Sequence, residues 1–198
     1  MPSQIQRKKV NHMQQDIKYL DTDKYLSSGA YHWKNYLIDK DYREYIDLLI
    51  KQILERTAPK EPIIDFGCGD GLITYLVRKG GRSINGYDID KVAIKLANKI
   101  DPKTKHYSKY PKQHYQHIIL ADVFEHLNQE NLNFLYNILG SFRYVFLVNP
   151  HPESEYHYKV YSDLDIMKIF NRKGFEEIYL LPIAAVNKSI LIFRNQCI

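Results

Sequence analysis

Residues 65–72 read Asp65-Phe66-Gly67-Cys68-Gly69-Asp70-Gly71-Leu72, with three glycines at alternate positions. The residues just before them, Ile63 to Phe66, have the mainly apolar character of a buried strand, and residues 72–79 have the apolar spacing of a helix. Because glycine has no Cβ atom, the backbone of such a junction can approach a ligand closely. The segment therefore predicts a ligand-binding turn at the carboxyl end of a parallel strand, where open α/β sheets bind their ligands.

The spacing of these glycines and the acid beside them narrow the kind of ligand. The pattern is G-x-G-x-G, which differs from the G-x-G-x-x-G of dinucleotide-binding proteins. Asp65 stands two positions before the first glycine. A carboxylate there would repel a pyrophosphate and suits a cationic ligand, so the segment favours the latter.

On the carboxyl side of this turn, strand and helix patterns alternate with short connections. Strands are predicted at 83–87, 105–108, 117–121 and 144–148, and a terminal hairpin is predicted from 175–181 and 189–193. Asp90 and the pair Ser162 and Asp165 are predicted to begin helices, and Gly140 and Gly174 to end them. This alternation predicts an α/β sheet with helices on both sides.

The amino-terminal part has a different pattern. Apolar residues from Tyr42 to Leu54 recur at helical spacing, which predicts an amphipathic helix that ends near Thr57, and Asp41 with Glu44 matches a capping box. Two prolines then separate this helix from the first strand. We therefore expect an amino-terminal helical extension over residues 1–58 and an α/β domain over residues 59–198, forming one structural unit.

The composition fits a single folded domain. The chain has 198 residues, of which 44% are hydrophobic and 26% charged, which excludes a fully disordered or collagen-like chain. We find neither an apolar stretch of about 18 residues nor a signal-peptide hydrophobic region, and therefore expect a soluble, cytoplasmic protein without membrane contact. Two cysteines, Cys68 and Cys197, exclude a zinc tetrad and a disulfide framework, which favours a reducing compartment.

The net charge of +5 raises the question of nucleic-acid binding. Residues 1–60 hold 11 basic against 8 acidic side chains and residues 61–198 hold 17 against 15, so the excess is spread along the chain. The cluster Arg7-Lys8-Lys9 is read as a solvated tail, with a nucleic-acid arm as the alternative. The charge thus leaves nucleic acid as a secondary hypothesis.

Three further segments follow the glycine turn in a characteristic order: Gly86-Tyr87-Asp88-Ile89-Asp90, Ala121-Asp122-Val123-Phe124-Glu125-His126-Leu127 and Val148-Asn149-Pro150. With this ordered set, most of residues 60–195 resembles the class I S-adenosylmethionine-dependent methyltransferases. The resemblance implies a three-layer α/β sandwich around a mostly parallel seven-stranded sheet that ends in an antiparallel hairpin. It also implies S-adenosylmethionine as the methyl donor.

The resemblance assigns a donor site residue by residue. Asp88 would accept hydrogen bonds from the ribose diol, with a helix cap as its alternative role, and Ile89 would pack on the adenine. Family members often carry an Asp after the third strand that binds the adenine amine, and here Ser108 or a backbone carbonyl has to replace it. The full set of expected donor contacts is Asp65, Gly67, Cys68, Gly69, Gly71, Asp88, Ile89, Asp122 and Val123.

The segment after the fourth strand carries the candidate catalytic residues. Methyl transfer from a sulfonium is an in-line displacement, and it needs a base only if the acceptor must lose a proton. His126 and Glu125 are the candidates, with a structural role at the start of the next helix as the alternative. The segment is also similar to the Glu-x-x-Glu-His metal motif of small-RNA 2′-O-methyltransferases, with His151 or His157 completing it, but Asp122 replaces the first Glu, and we predict no metal.

Acceptor contacts are predicted from aromatic and polar residues around the expected site. Tyr31, Trp33 and Tyr36 in the extension and His151 after the fifth strand are the candidates. Trp33 and Tyr36 could instead dock the extension onto the domain, and residues 156–161 form a second candidate wall. We expect O- or N-methylation of a small-molecule acceptor by a monomer or homodimer. The alternatives are an RNA-modifying methyltransferase and an inactive cofactor-binding partner subunit.

Overall fold

A mixed seven-stranded sheet forms the middle layer of the protein in the computed structural model, which describes residues 29–151 and 159–198. The strands are β1 (Ile63–Phe66), β2 (Ile84–Tyr87), β3 (His106–Tyr107), β4 (His117–Ala121), β5 (Tyr144–Pro150), β6 (Phe175–Ile183) and β7 (Lys188–Asn195). They lie in the order β3-β2-β1-β4-β5-β7-β6. Strands β1 to β5 are parallel, and β7 runs antiparallel to both β5 and β6. This is the predicted sheet with its terminal antiparallel hairpin.

Helices cover both faces of this sheet. They are α1 (Tyr31–Ile38), α2 (Lys40–Arg56), α3 (Leu72–Lys79), α4 (Lys91–Ile100), α5 (Gln129–Leu139) and α6 (Asp163–Arg172), with 3₁₀ turns at Phe124–His126 and Ala184–Val186. Apolar residues of α1 to α4 form one buried cluster with one face of the sheet, and those of α5 and α6 form a second cluster with the other face. The three-layer sandwich is therefore confirmed. None of the helices in the described ranges is long and apolar enough to cross a membrane.

Alternation along the central strands divides their side chains between these two clusters. Ile63 belongs to the first cluster and Ile64 to the second, and all four residues of β1 are buried. A parallel strand with helices on both faces needs apolar side chains on both sides, which explains the continuous apolar runs in the sequence. The apolar side chains of β1 and β4 bury these two neighbouring strands at the centre of the sheet. The candidate site lies at their carboxyl ends.

One prediction about where a helix begins is wrong. The side chain of Asp39 accepts hydrogen bonds from the amides of Asp41 and Tyr42, so Asp39 is the N-cap of α2 and the capping box predicted from Asp41 and Glu44 is wrong. Asp39 takes this role because its backbone is extended, which separates α1 from α2. The predicted cap Asp90 of α4 and the capping box at the start of α6 are confirmed.

The helical extension shares a core with the sheet. Leu49 and Ile53 of α2 are fully buried in the same cluster as Phe146 of β5 and Ile190 of β7. Residues 1–28 and 152–158 lie outside the described ranges, and with them the predicted basic cluster Arg7-Lys8-Lys9, His157 and half of the candidate wall at 156–161.

Candidate active site

The glycine turn, residues 67–71, crosses the carboxyl ends of β1 and β2. The amides of Gly67 and Cys68 both donate to the carbonyl of Tyr87, at 2.7 and 3.0 Å. Gly67 has a φ of +79°, and a Cβ atom there would lie 2.4 Å from Cγ2 of Val123. The turn therefore touches the segment after β4, and residue 67 has no room for a side chain.

Asp88 is fixed to the same turn. Its Oδ2 accepts a hydrogen bond from the amide of Gly69 and its Oδ1 one from the amide of Asp90, both at 2.8 Å. Asp90 itself caps α4, so Asp88 does not have the capping role that was its alternative. Each carboxylate oxygen has more than one lone pair, and Asp88 can therefore accept further hydrogen bonds from a ligand. Ile89 beside it is 68% exposed.

Asp65 and Cys68 lie beneath the turn. Oδ2 of Asp65 accepts a hydrogen bond from the hydroxyl of Thr74 at 2.7 Å, so its bond leads to α3 rather than to the glycine amides. Burial raises the pKa of Asp65 to about 7. Cys68 is a buried free thiol whose pKa is also raised by burial, which fits a packing role.

Helix α1 lies on the outer side of the turn and is held there through Asp70. The amide of His32 donates to Oδ2 of Asp70 at 3.0 Å, and the indole nitrogen of Trp33 donates to the Asp70 carbonyl at 3.1 Å. Trp33 also packs edge-on against Tyr75 of α3, with ring centroids 5.0 Å apart. The first helix of the described chain is thus part of the wall around the glycine turn.

The predicted acceptor contacts of the extension separate into two groups. Trp33 and Tyr36 are buried, and the hydroxyl of Tyr36 donates to Asp47 of α2 at 2.7 Å. The contacts of Trp33 with Asp70 and Tyr75 match the alternative, in which it docks the extension onto the domain, whereas the hydrogen bond of Tyr36 joins α1 to α2 within the extension. Tyr31 is 62% exposed, and its ring meets His32 edge-on at 5.3 Å.

A small cavity of about 20 Å³ lies between the turn, the end of β4 and the two amino-terminal helices. Its lining residues are His32, Tyr42, Tyr45, Asp65, Gly67, Cys68, Asp70, Leu72, Ile73, Ala121 and Asp122. Among them, Tyr42, Tyr45 and Asp70 were not predicted as site residues. Nδ1 of His32 lies 2.8 Å from the Tyr42 hydroxyl, so a polar contact links α1 to α2 at the cavity.

Asp122 is the first residue after β4 and has an unusual backbone conformation. We call residues 122–126, which follow this strand, the β4 exit. Its φ is +54°, a left-handed value that Asp adopts more readily than most residues. Its Oδ2 accepts a hydrogen bond from the Tyr45 hydroxyl at 3.3 Å and forms an ion pair with the ammonium of Lys188. Its Oδ1 is buried and has no hydrogen-bond partner among the described residues. Strained backbone of this kind is found at functional sites.

Glu125 and His126, the predicted catalytic pair, differ in their surroundings. Glu125 is only 2% exposed, and neither of its carboxyl oxygens has a hydrogen-bond partner in the described part of the chain. Nε2 of His126 lies 3.7 Å from Oε1 of Glu125, which is beyond hydrogen-bond distance, and its side chain is 44% exposed. Burial and, second, the charge of Asp122 raise the pKa of Glu125 to about 8.

His151 stands at the same edge of the sheet, beyond β5. Its Nε2 lies 3.0 Å from Oγ of Ser189 and 3.4 Å from Oδ1 of Asp163. Ser189 donates its one proton to Oδ2 of Asp163, so His151 is the donor toward Ser189. His151 is thereby fixed near the β4 exit, but it is not among the residues that line the cavity. Among residues 29–151 and 159–198, no three His, Cys, Asp or Glu side chains group so as to hold a metal ion.

The strand order, the glycine turn between β1 and α3 and the acid at the end of β2 together define the class of the protein. It is a class I S-adenosylmethionine-dependent methyltransferase, an enzyme that takes its methyl group from S-adenosylmethionine. The family described as "methyltransferase domain" matches residues 38–180, and the chain belongs to this family. The matched range begins inside the amino-terminal extension.

Solved structures of low sequence identity share the fold. One is the magnesium protoporphyrin IX methyltransferase ChlM from Synechocystis PCC 6803 with bound SAM, with a TM-score of 0.69 and 16% identity over 88% of this chain and 94% of that chain. Another is the N-methyltransferase NodS from Bradyrhizobium japonicum WM9, with a TM-score of 0.67 and 14% identity over 80% of this chain and 98% of that chain. No curated protein sequence gives a match.

Proposed function

We propose that the enzyme methylates a small-molecule acceptor, with the donor bound across the carboxyl ends of β1, β2 and β4. The observation that carries the donor site is the pair of hydrogen bonds that hold Asp88 against the amides of Gly69 and Asp90. A carboxylate so fixed is preorganised to accept from two ribose hydroxyls. Ile89, exposed beside it, would pack on the adenine.

The methionine part of the donor is assigned to the glycine turn. The methionine part would contact the backbone of Gly67, Gly69 and Gly71. The floor and one side of this part of the site would be formed by Asp65, Cys68 and Val123. Free Oδ1 of Asp70, buried without a hydrogen-bond partner among the described residues, is a suitable acceptor for the donor's ammonium. The sulfonium would then lie near Asp122.

The acceptor side is assigned to the β4 exit and the surrounding residues. We assign Tyr31 and His151 to its outer rim and Glu125 with His126 to its inner end, as the groups able to hold or take up a proton. The amino-terminal helices would exclude water from the reacting atoms. Because exclusion of water strengthens the interactions of charged and dipolar groups in the site, it favours the in-line displacement. Helices α1 and α2 close one side of the cavity, and this favours a small acceptor over a large one.

Two of the structural neighbours are consistent with a small acceptor. ChlM is named for its action on magnesium protoporphyrin IX, and NodS is named an N-methyltransferase. Their identity to this chain is low, so they support the fold directly and the acceptor class only by analogy. The division at residues 58 and 59, a cytoplasmic location and a monomeric or homodimeric state stay predictions.

Calorimetric titration with S-adenosylmethionine and S-adenosylhomocysteine tests the donor site. We expect one site for each ligand, and a folded protein that binds neither would overturn the donor assignment.

Incubation with methyl-labelled donor and separate cell fractions tests the acceptor. Label in the small-molecule fraction supports the proposal, and label confined to RNA contradicts it. Transfer by the purified chain alone separates an active enzyme from an inactive partner subunit.

A further inference from the structure

Residues 91–116, which run from the start of α4 to the residue before β4, hold the whole net charge of the protein. They contain seven lysines and a single acid, whereas the rest of the chain has 21 basic against 22 acidic side chains. A division of the chain at residue 60 does not show this concentration. All seven lysines are exposed, and they are Lys91, Lys95, Lys99, Lys103, Lys105, Lys109 and Lys112.

The fold brings these lysines to one edge of the sheet, which we call the basic edge. Strand β3 is the last strand on this side, and α4 lies against it. The side chain of Asn98 on α4 donates to the carbonyl of His106 at 3.2 Å and accepts from its amide at 3.3 Å. Lys91 and Lys95 stand seven and three positions before Asn98, so they share its side of the helix. The four later lysines lie on the segments that lead into and out of β3.

The acids near the basic edge are already bound within the protein. Asp101, the single acid of the segment, is buried and accepts two hydrogen bonds from the guanidinium of Arg78, at 2.8 and 2.9 Å. Asp88 and Asp90, just before α4, accept hydrogen bonds from backbone amides. The seven lysines therefore have no exposed acid of their own segment between them, and a surface of this kind attracts a polyanion.

Partly exposed aromatic rings lie beside these lysines. Residues 108–116 connect β3 to β4 without forming a helix. In this connection, the ring of Tyr110 lies 5.5 Å from that of Tyr87 on β2 and 5.3 Å from that of Phe134 on α5. Phe134 is 38% exposed, and Tyr107 and Tyr110 are half-buried. Rings that reach solvent next to lysines can stack on unpaired bases while the lysines bind phosphates.

These features favour a nucleic-acid strand over an anionic membrane. A helix that lies on a membrane needs a free apolar face. The apolar residues Ile94, Ala97 and Ile100 of α4 are buried, so the helix presents its polar side to solvent. A duplex keeps its bases stacked on each other, whereas an unpaired strand offers them to the rings of Tyr107 and Tyr110.

We propose that the basic edge binds single-stranded nucleic acid. The lysines around β3 contact the phosphates, and the neighbouring rings stack on bases. This inference goes beyond the proposed function and does not depend on it, because none of the residues that line the cavity belongs to the basic edge. Nucleic acid is here a partner that holds the enzyme, and the cavity keeps its own acceptor.

Fluorescence anisotropy with labelled oligo(U) RNA and oligo(dT) DNA tests the proposal on the full chain. We expect binding at low salt, with a slope of log K against log salt of about −3 to −5, the value for five to seven phosphate contacts on a single strand. Binding of either strand supports the proposal, and the tighter one identifies the polymer. The combined variant Lys91→Gln, Lys95→Gln and Lys105→Gln should lower the affinity at least about tenfold and make the slope shallower by about 2.

A matched variant removes the same charge elsewhere. Lys34→Gln, Lys40→Gln and Lys51→Gln change three exposed lysines of α1 and α2 and should leave affinity and slope unchanged. Tyr107→Leu keeps every charge and should weaken single strands at least about fivefold, with the affinity for a duplex unchanged within about twofold. Equal losses for single strand and duplex would contradict stacking on this ring.

The outcomes that overturn the proposal are distinct from those that overturn the donor site. Absence of binding to both single strands at low salt overturns it, as does binding that the variant of the basic edge leaves unchanged. Tighter binding to a duplex, to phosphatidylserine vesicles or to polyglutamate also overturns it and identifies a different polyanion. Calorimetry with S-adenosylhomocysteine on the same samples reports on the donor site alone, and the variant of the basic edge should bind this ligand as the parent protein does.

Discussion

The indole nitrogen of Trp33 donates a hydrogen bond to the main-chain carbonyl of Asp70, 37 residues further along the chain, at 3.1 Å. The neighbouring amide of His32 holds the carboxylate of the same Asp70. Asp70 lies inside the glycine turn, so α1 and the turn are joined through both the backbone and the side chain of one residue. Helix α1 is therefore attached to the glycine turn at two points.

Trp33→Phe tests this link. The change keeps a ring in place but removes the donor to Asp70, and we expect a loss of about 1 to 3 kcal/mol in the free energy of unfolding, from the lost hydrogen bond and the smaller ring. The affinity for S-adenosylhomocysteine should fall as well, because the turn loses a support. Denaturant unfolding and calorimetry measure the two effects. Tyr31→Phe, at an exposed position, is the control and should change neither; equal affinity in both variants would contradict the link.

Gly67→Ala tests the contact between the turn and the β4 exit. Both a φ of +79° and the approach of Val123 oppose a methyl group there, so we expect a loss of stability of about 2 to 4 kcal/mol and no measurable donor binding. Gly81→Ala is a matched control, because Gly81 has a φ of +83° but nothing within 4 Å of its added Cβ. It should cost about 1 kcal/mol and leave donor binding intact. Thermal unfolding gives the comparison, and equal losses would show that backbone strain alone matters.

Asp88→Ala tests the ribose assignment. The variant loses two charge-assisted hydrogen bonds to the donor, and we expect its affinity for S-adenosylmethionine to fall by about 2 to 4 kcal/mol, roughly 30- to 1,000-fold. Asp90→Ala removes the N-cap of α4 instead and should cost about 1 kcal/mol of stability with little change in affinity. Calorimetry on both variants separates the roles. Unchanged affinity in the Asp88 variant would remove the ribose assignment.

The buried Glu125 predicts a dependence of stability on pH. Its pKa rises from an ordinary value near 4.5 to about 8, so between these values the unfolded chain has lost the proton that the folded protein still holds. The free energy of unfolding should therefore decrease as the pH rises from about 4.5 to 8, by an amount of order a few kcal/mol.

Glu125→Gln removes this titration. We expect the variant to gain stability relative to the parent protein at pH 9 and to show a much smaller difference at pH 5, as measured by denaturant unfolding at both values. Glu130→Gln is the control, since Glu130 is exposed on α5. A difference between parent and Glu125→Gln that stays constant with pH would mean that Glu125 does not titrate in this way.

The fold could be predicted from the sequence because its signals are local. Continuous apolar runs mark β1, β4 and β5, and glycines or caps such as Asp90 and Ser162 mark the ends of helices. The start of α2 was misplaced for the same local reason. Asp39 and Asp41 are both good caps, and only the backbone angles, which depend on how α1 packs, decide between them.

The motifs assigned to the donor could also be identified from the sequence, whereas the contacts at the β4 exit could not. Gly67, Gly69 and Asp88 belong to compact motifs on consecutive elements. The contacts of Asp122 with Tyr45 and Lys188 join residues 77 and 66 positions away, and they depend on how α2 and β7 meet the sheet. A pattern in the sequence reports the residue type at such positions but not the partner, and Lys188 had no motif to mark it.

The position of Lys188 has a consequence for how the protein is made. Lys188 begins β7, the last strand, and Ile190 and Ile192 of that strand pack in the same cluster as Ile46 and Leu49 of α2. During synthesis, α2 can therefore complete this part of the core only after β7 has also been made. A chain that stops after residue 187 lacks the strand that closes this core, and we expect it to be degraded or aggregated rather than released as a partly active enzyme.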